Sequence, residues 1–409
     1  MIYKLSLLSL LISAVFCNDD SYKYRDFSRG LETKPAWFTS AIKGEKDATV
    51  SATANGGLDI HFFDVGQGMS QLIVFPSGFT ILADCAELAW NKGDGAKLVA
   101  SKLASILGSK KTIDVAVLSH LHLDHVGYVG YGGFWALIEK HGYRFKKFID
   151  RDSGTIINPK KNCTDSNIKF KNMGVLSGTG RNWICYATNP ANKNIYDVRE
   201  IAEICSKSQI APKDNDTEVV IVSGDAYGAT GSDGKTLQGD HRKDSCPSNE
   251  NDFSVGFLLR YKKFTYGYFG DLDGEYHETS SYCYNDIEKA VLKRLTSVDA
   301  YNVNHHGSQH STSKAFADAL QPTVSVISAG KGNSYGHPTQ DAVDRILPYS
   351  DIYLTENANS ATSIGSRGVI ANGDILLSTS ADGSSYTVTA GKTTRYYYSK
   401  GSTFPTCKK

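Results

Sequence analysis

The chain has 409 residues, of which 40% are hydrophobic and 21% are charged, so it is long enough for one large globular domain or two smaller ones. Its 44 basic and 43 acidic side chains give a formal net charge of +1, which provides no general attraction for a polyanion. A nucleic-acid substrate would therefore have to be held by a local surface and not by overall charge.

The N-terminus predicts a secretory signal peptide over residues 1–17. Lys4 supplies a positive charge, and residues 5–16 form a mostly apolar stretch that is too short to span a bilayer. An uncleaved anchor is the alternative interpretation. Because no later apolar run is long enough to cross a membrane, we expect the mature chain to be secreted and to make no membrane contact.

Cysteine usage fits an oxidising compartment. Of the eight cysteines, Cys17 would leave with the signal peptide, and Cys85 lies in an apolar strand where a buried thiol is expected. The others lie in polar or loop-like segments and are predicted to form disulfides, with no pairing favoured by the sequence. A cysteine zinc site is the alternative, but no CxxC pair is present. The cysteines that are predicted to form disulfides are Cys163, Cys185, Cys205, Cys246, Cys283 and Cys407.

The chain is predicted to alternate strands and helices after a polar N-terminal extension over residues 18–57. In the first part, strands are expected at 58–65, 71–76, 79–84 and 113–118, and helices at 96–107 and 131–141. Residues 150–250 contain four cysteines and few long apolar runs, which predicts an irregular, disulfide-containing insertion with one clear strand at 219–223.

The second part of the chain continues the same alternation up to about residue 390, and residues 391–409 are predicted to form a tail. Strands are expected at 253–259, 264–269, 300–303, 323–328 and 374–377, and helices at 287–294 and 314–320. This pattern predicts an α/β fold in which two sheets are covered by helices.

Potential metal ligands are concentrated directly after the apolar strand 113–118, where His120, His122, Asp124 and His125 follow one another in HxHxDH spacing. A sharp turn at a strand end lets such side chains face two neighbouring ions. We therefore predict that His120 and His122 hold one ion, that Asp124 and His125 hold the other, and that Asp124 takes part in catalysis. A coincidental polar loop is the alternative.

The HxHxDH motif at a strand end resembles the metallo-β-lactamase superfamily. The resemblance implies an αββα sandwich, usually with two metal ions between its sheets. It also implies that Asp84 orients the motif and that Asp271, after strand 264–269, bridges the two ions. A helix N-cap for Asp84 and a turn role for Asp271 are the alternatives, and Asp273 is expected at the surface.

Two histidine motifs follow later strands. One histidine of His305-His306-Gly307-Ser308 is expected to complete the second ion's ligands, and we prefer His305 because it is nearer the strand end. His306 would then contact substrate or donate a proton. His337, which stands rigidly before Pro338, would bind a phosphate oxygen or protonate a leaving group, with a structural loop role as the alternative.

Together with FDVGQG at residues 63–68, the HHGS and YGHP motifs narrow the resemblance to the extracellular metallo-β-lactamase domain of ComEC-type competence proteins, over about residues 58–390. That family implies a nuclease that degrades one strand of incoming DNA. This chain departs from it by a signal peptide in place of a membrane channel and by His122 where an aspartate is frequent. The place of a third histidine for the first ion reads Glu250-Asn251-Asp252, with His241 as a substitute.

The sequence therefore predicts a secreted metal-dependent hydrolase, and a phosphodiesterase or nuclease before other classes. Two Zn²⁺ ions are expected, and the same ligands also suit Mn²⁺ or iron. The alternatives are a hydrolase of a small carbonyl substrate, such as a lactam or lactone, and a secreted binding protein without catalysis. Segments 144–148 and 260–264 interleave basic and aromatic residues, which indicates either a surface for single-stranded nucleic acid or a solvated face. The sequence does not indicate whether the chain has a protein partner.

Overall fold

The computed structural model describes residues 53–86, 96–192, 195–274, 277–278, 283–404, 406–407 and 409. The predicted signal peptide and nearly all of the N-terminal extension lie outside these residues. None of the helices within the described ranges is long and apolar enough to span a bilayer.

Each predicted strand and helix has a counterpart in the structure, and further strands and helices that were not predicted lie between them. The strands are β1 (Gly56–Phe62), β2 (Ser70–Val74), β3 (Thr80–Cys85), β4 (Thr112–Val117), β5 (Arg144–Asp150), β6 (Gly154–Ile156), β7 (Ile168–Phe170), β8 (Tyr196–Ile201), β9 (Thr217–Ser223), β10 (Gly256–Tyr261), β11 (Phe264–Tyr268), β12 (His277–Glu278), β13 (Cys283–Tyr284), β14 (Ala300–Asn302), β15 (Val324–Ile327), β16 (Asp351–Leu354), β17 (Val369–Ile370), β18 (Ile375–Ser380), β19 (Ser385–Ala390) and β20 (Thr393–Tyr398). The α-helices are α1 (Lys97–Leu107), α2 (Leu123–Val126), α3 (Gly133–Glu139), α4 (Gly178–Ala187), α5 (Ile287–Val291), α6 (Lys314–Leu320) and α7 (Gln340–Ile346).

Two mixed sheets dominate the structure. The larger sheet has the order β20-β19-β18-β1-β2-β3-β4-β5-β8, and the smaller has the order β17-β16-β15-β14-β11-β10-β9. In the larger sheet, β3, β4, β5 and β8 run parallel, while the strands from β20 to β3 are antiparallel to their neighbours. In the smaller sheet, β11, β14, β15, β16 and β17 run parallel.

Three buried apolar clusters show that the two sheets face each other and that helices cover both outer faces. One cluster joins the sheets, and contains Ile60 of the larger and Phe257 of the smaller. A second joins the larger sheet to α1, α3 and α4, with Leu103 among its members. The third joins the smaller sheet to α5, α6 and α7, with Phe316 among its members. The predicted αββα sandwich is thereby confirmed.

Strand β4 explains why the metal motif is preceded by a continuous apolar run. Val115 and Val117 face the cluster between the sheets, whereas Ala116 and Leu118 face the cluster beneath the helices. A parallel strand that is covered on both faces needs apolar side chains at nearly every position. The end of this strand is therefore rigid, and it fixes the backbone from which the motif starts.

The prediction of three disulfides is confirmed, and the structure supplies the pairing. Cys163 pairs with Cys185, Cys205 with Cys407, and Cys246 with Cys283, with Cα–Cα distances of 6.0, 5.3 and 5.5 Å. Cys85 is fully buried on β3, as expected. The second bridge spans 202 residues and ties the C-terminus to the segment between β8 and β9.

The segment predicted as an irregular insertion is more regular than expected. Residues 150–250 include helix α4, the small hairpin β6–β7, and strands β8 and β9, which form one edge of each main sheet. The predicted C-terminal tail likewise contains β20, which pairs with β19 at the other edge of the larger sheet. Both segments are Ser-, Asn- or Thr-rich edge regions, where the apolar periodicity is weak.

The two segments that interleave basic and aromatic residues do not form stacking surfaces. Phe145 and Phe148 lie in the core on β5, and Tyr261 and Phe264 are buried in the β10–β11 hairpin. Several of the basic residues in these segments form ion pairs with carboxylates, as Lys147 does with Glu200 at 2.9 Å. The solvated-face interpretation is therefore the correct one for these segments.

Candidate metal centre

The predicted site residues follow the carboxyl ends of parallel strands in both sheets. Asp84 is the last residue but one of β3, the HxHxDH motif follows β4, Asp271 follows β11, and the histidine pair follows β14. Open α/β sheets bind ligands at these strand ends. Gly270 allows the two sheets to approach here, because its φ is +59° and a Cβ at this position would lie 2.5 Å from the Ser119 Cβ.

Four of these side chains converge on one point. The ligand atoms of Asp124, His125, Asp271 and His306 all lie within 4.8 Å of one another. His125 Nε2 is 3.1 Å from Asp271 Oδ1, while His306 Nε2 is 3.3 Å from Asp124 Oδ2 and 3.5 Å from Asp271 Oδ2. Two imidazoles and two carboxylates form a donor set suited to Zn²⁺ and to other first-row divalent cations.

Unsatisfied polar atoms support a cation at this point. His125 Nε2, His306 Nε2 and Asp271 Oδ1 are buried, and none makes a hydrogen bond of good geometry with any residue in the described ranges. Buried polar atoms without partners are rare and costly in folded proteins. Because all three atoms face the same point, one divalent ion would satisfy them together, so the residues fit a metal.

The pKa values of these residues are shifted by the charges of their neighbours in the cluster. Burial alone would raise the pKa of Asp271, but the nearby His125, His306 and His305 hold the pKa well below its usual value. Burial alone would lower the pKa of His125, but Asp271, Asp84 and Asp124 raise the pKa well above its usual value. In the absence of a cation, protons on the imidazoles therefore balance the carboxylates, and a divalent ion would replace them.

His120 and His122 lie beside this group. His120 Nε2 is 3.1 Å from His122 Nδ1 and 3.9 Å from Asp271 Oδ2. Burial lowers the pKa of both imidazoles, so they are neutral and suited to bind a metal. The Ser119 hydroxyl donates to Asp84 at 2.7 Å and lies 3.0 Å from His120 Nδ1, so it accepts from that nitrogen and leaves Nε2 with a lone pair.

Asp84 lies where the resemblance implies, directly behind the motif. Its carboxylate is buried, is 2.6 Å from His125 Nδ1, and accepts hydrogen bonds from the Ser119 backbone N–H at 2.8 Å and from the Tyr268 hydroxyl at 2.5 Å. Because a carboxylate only accepts, His125 donates from Nδ1 and presents Nε2 to Asp271. Asp84 is thus placed to orient His125.

The structure places His306, and not the preferred His305, in the four-residue group. Both residues have positive φ values, 48° for His305 and 51° for His306, so distance from the strand end does not decide which side chain points inward. His306 Nδ1 donates to the Ser328 carbonyl at 2.6 Å, which turns Nε2 toward Asp124. The expectation for His305 is corrected accordingly.

His305 instead lies against Asp273. Its Nδ1 is 3.1 Å from Asp273 Oδ1, and its Nε2 remains 3.9 Å from Asp271 Oδ2. Asp273 is fully buried, so the prediction of a surface residue was wrong. Burial and the neighbouring Asp271 raise the pKa of Asp273 well above its usual value. The error arose because the local sequence around Asp273 is typical of a turn. Its burial depends on the pairing of β11 with β14, which the local sequence does not indicate.

His337 closes the site on the side of the smaller sheet. Its ring centroid lies 5.3 Å from that of His305 and 6.4 Å from that of His306. Only 7% of the residue is exposed, and burial together with His305 and His306 lowers the pKa of His337 to about 2. The ring is therefore neutral and offers one N–H to a bound group.

His241, the possible substitute for a third histidine, does not join the group. His241 is 3.0 Å from Asp244 and is not a member of the four-residue cluster. Asn251 is buried beside His305, with Nδ2 3.2 Å from both ring nitrogens, and its Oδ1 has no hydrogen-bond partner in the part of the chain that the structure describes. An amide therefore stands where the resemblance implies an imidazole.

Sequence reasoning missed two buried carboxylates that hold the loops of the site. Glu250 accepts a hydrogen bond from the Leu121 backbone N–H, between the two histidines of the motif, at 2.9 Å, and pairs with the fully buried Arg151 at 2.5 Å. Glu288 accepts from Asn304 and from the backbone N–H groups at 312 and 313. No local spacing signals either residue, because their partners lie far away in the sequence.

The fold and this arrangement of ligands together define an αββα sandwich of metallo-β-lactamase type with a candidate metal centre. The chain is similar to ComE operon protein 3 of Bacillus subtilis, with 31% identity over 113 residues, which is 28% of this chain and 13% of that protein. It is also similar to Recombination protein 2 of Haemophilus influenzae, with 32% identity over 62 residues, which is 15% of this chain and 8% of that protein. The matches agree with the resemblance to a ComEC-type protein over a short part of the chain, and they span only a small share of each relative.

Several solved structures resemble the chain, all at low sequence identity. They include the diiron β-hydroxylase CmlA of Streptomyces venezuelae (12% identity, TM-score 0.38, 71% of this chain and 50% of that one). The short form of human tRNase Z matches with 14% identity and a TM-score of 0.35, over 67% and 93% of the two chains. Zn²⁺-bound PqqB from Methylobacterium extorquens matches with 9% identity and a TM-score of 0.37, over 72% and 97%. No protein-family model matches the chain.

Proposed function

We propose that this chain is a metal-dependent hydrolase whose substrate is a phosphodiester, most simply a nucleic acid. The observation that carries the proposal is the convergence of Asp124, His125, Asp271 and His306, with three buried polar atoms that a cation would satisfy. A phosphodiester is preferred to a lactam or lactone because the FDVGQG, HHGS and YGHP motifs resemble the nuclease-like domain of ComEC-type competence proteins.

Each group of ligands has a defined place in this proposal. Asp124, His125 and His306 would hold one ion, His120 and His122 would hold a second, and Asp271 would contact both. When bound, such ions supply a nucleophilic hydroxide near neutral pH and stabilise negative charge on the reacting phosphate. Zn²⁺ suits the imidazole-rich set, and Mn²⁺ is also compatible with its carboxylates.

The remaining residues would orient the ligands and the substrate. Asp84 fixes which nitrogen of His125 faces the ion, and Ser119 does the same for His120. His337 would donate a hydrogen bond to a phosphate oxygen from its neutral ring. His305, held by Asp273, lies on the same side and would contact the leaving group.

Secretion completes the proposal. Three disulfides are maintained in oxidising compartments and are rare in reducing ones. The apolar stretch at residues 5–16 would direct the chain there. The nuclease would therefore act on extracellular nucleic acid and not on a cytosolic substrate.

The test compares the purified mature protein with an Asp124→Ala/His125→Ala variant. Metal content is measured by elemental analysis, and hydrolysis of single-stranded DNA and of bis(p-nitrophenyl) phosphate is followed with added Zn²⁺ or Mn²⁺. We expect bound metal and cleavage in the wild type and loss of both in the variant. His241→Ala is the control, because His241 lies outside the cluster and should keep both properties.

Two results would contradict the proposal. Bound metal without phosphodiester cleavage, combined with turnover of a chromogenic lactam or lactone, would assign the site to carbonyl substrates. Absence of both metal and cleavage in a folded wild-type protein would leave a binding protein on this scaffold. Circular dichroism of each variant establishes that a loss of activity is not a loss of fold.

A further inference from the structure

One large aromatic side chain is exposed beside the metal centre. Tyr335 is 59% exposed, and it lies in the loop between β15 and α7 that also carries His337. Its ring centroid is 5.6 Å from that of His337, with an angle of 23° between the two planes. Because the Tyr335 ring is exposed at the rim of a polar site, it is accessible to a planar group of a bound ligand.

Aromatic rings continue from Tyr335 toward the metal ligands. The planes of His337 and His306 are inclined by only 21°, with 6.4 Å between their centroids. His306 in turn lies 3.3 Å from Asp124 within the candidate centre. If a planar group stacked on Tyr335, the Tyr335 ring would separate it from His337. The Tyr335 and His337 rings together would separate it from His306, a candidate metal ligand.

The loop that carries Tyr335 is held in place on both sides. The Asn333 side chain accepts from the His337 backbone N–H at 3.0 Å and donates to the His337 carbonyl at 2.8 Å, which closes the loop around Tyr335. Asn359 donates to the Gly336 carbonyl at 2.8 Å. Because the backbone is fixed before a ligand arrives, a contact with the ring costs little ordering of the protein.

We propose that Tyr335 is a specificity-determining residue that stacks on a nucleobase next to the scissile phosphodiester. This inference rests on the proposed function and names the recognised part of the substrate. Stacking on aromatic side chains is how proteins commonly hold single-stranded nucleic acid without reading its sequence. The net charge of +1 gives little electrostatic attraction, and the aromatic rings of segments 144–148 and 260–264 are buried, so neither supplies this contact.

The kinetic test uses two substrates that share a leaving group and differ only in the nucleoside. Thymidine 5′-(p-nitrophenyl phosphate) carries a base, and methyl p-nitrophenyl phosphate does not. For Tyr335→Ala we expect kcat/KM for the thymidine ester to fall about tenfold or more, mainly through KM, and the value for the methyl ester to stay unchanged. Tyr335→Phe should retain the preference, because stacking needs the ring and not the hydroxyl.

The matched control is Tyr396→Ala, because Tyr396 is 58% exposed and lies on β20, a strand that contributes no residue to the site. It should behave as the wild type with both esters. A binding measurement adds a readout that does not need turnover: with metal removed by a chelator, a fluorescent oligothymidylate should bind Tyr335→Ala about tenfold or more weakly than the wild type.

The failures of the two proposals are distinguishable. Wild-type protein that cleaves both esters, with Tyr335→Ala unchanged in kinetics and in oligothymidylate binding, would overturn only the stacking role. An equal loss on both esters would also overturn it, because it would show that Tyr335 merely supports the loop. Wild-type protein inactive toward both esters would contradict the phosphodiesterase proposal, and the binding measurement would still decide the role of Tyr335.

Discussion

The Asp84 carboxylate lies 2.6 Å from His125 Nδ1 and so determines which nitrogen of that ring faces Asp271. The same carboxylate accepts hydrogen bonds from Ser119 and Tyr268, which come from the motif loop and from the opposite sheet. One buried group therefore fixes His125, a candidate metal ligand, relative to both sheets. Ligand orientation of this kind raises metal affinity, because the imidazole is already in the binding geometry.

Replacement of Asp84 by Asn should weaken metal binding without unfolding the protein. The amide keeps the shape of the side chain but loses the charge that holds the proton on His125 Nδ1, so the affinity should fall about 10–100-fold. Competition with a chromophoric chelator measures this change. Asp114→Asn is the control, since Asp114 is paired with Lys146 on the same sheet and away from the ligands. Equal affinities for wild type and Asp84→Asn would contradict the orienting role.

His306→Ala and His305→Ala should have different effects on metal binding. His306 contributes a buried nitrogen to the four-residue cluster, whereas His305 lies against Asp273 outside it. Loss of a residue that only orients a ligand typically reduces metal affinity about 10–100-fold. Loss of His306 should reduce the affinity by more than this. His305→Ala should retain affinity within a few-fold.

Isothermal titration of the metal-free proteins provides this comparison, and the melting temperature of each variant shows whether it folds. If His305→Ala lost the metal and His306→Ala retained it, the assignment of the second ion's ligands would have to be exchanged. Phosphodiester cleavage is recorded in parallel, and we expect it to fall in both variants for different reasons, one through metal loss and one through substrate contact.

Much of the fold could be predicted because its strands and helices carry strong local patterns. Strand β4 is apolar on both faces, since each face meets its own core cluster, and α6 spans the predicted residues 314–320. Strand β5 was missed because its basic residues suggested a surface. Their partners, such as Glu200 on β8, become neighbours only when the parallel sheet forms. Edge strands such as β20 carry too few apolar residues to be recognised.

The candidate site could be predicted where its residues are close in sequence and not where it depends on tertiary contacts. The HxHxDH motif placed Asp124 and His125 in the candidate cluster, with His120 and His122 beside it, because all four residues lie on one turn. The choice between His305 and His306 depends on the left-handed backbone conformations of these two consecutive residues. The amino-acid sequence around them does not predict these conformations. Glu250 was visible only as a departure from a histidine position. Its role appears once its contact with Leu121 is seen.

Glu250→Ala should be strongly destabilising. The change would leave the Arg151 guanidinium buried without its carboxylate, and it would remove the acceptor of the Leu121 N–H. Breaking one half of a buried ion pair typically costs about 3–5 kcal/mol. Urea unfolding of the metal-free protein measures the change in the free energy of unfolding.

Lys314→Ala is the control for Glu250→Ala, because the ion pair of Lys314 with Asp318 lies at the surface and should have no measurable effect on the unfolding midpoint. The double variant Arg151→Met/Glu250→Leu should recover part of the lost stability, since it leaves no unpaired buried charge. A Glu250→Ala protein as stable as the wild type would show that the ion pair is not needed to hold the motif loop.

Asp225 should make stability depend on pH in the direction opposite to an ordinary ion-paired carboxylate. Burial is the main cause that raises the pKa of Asp225 to about 6, although Arg151 and the Asp152 N–H, 3.0 Å away, favour the charged form. Between its usual value of 3.8 and about 6, the folded protein binds more protons at this group than the unfolded chain does. This contribution to the free energy of unfolding is therefore present at low pH and is lost as the pH rises through that window.

Asp225→Asn removes this dependence, because the amide does not ionise and can still accept from the Asp152 N–H. Relative to the wild type, the variant should gain on the order of 2–3 kcal/mol of stability when the pH is raised from about 4 to about 7.5. Urea unfolding of both proteins at the two pH values, with chelator present throughout, measures the difference. Asp233→Asn should show no such gain, since a hydrogen bond from Lys235 lowers the pKa of Asp233. A constant difference between Asp225→Asn and wild type at both pH values would mean that folding does not raise the pKa of Asp225.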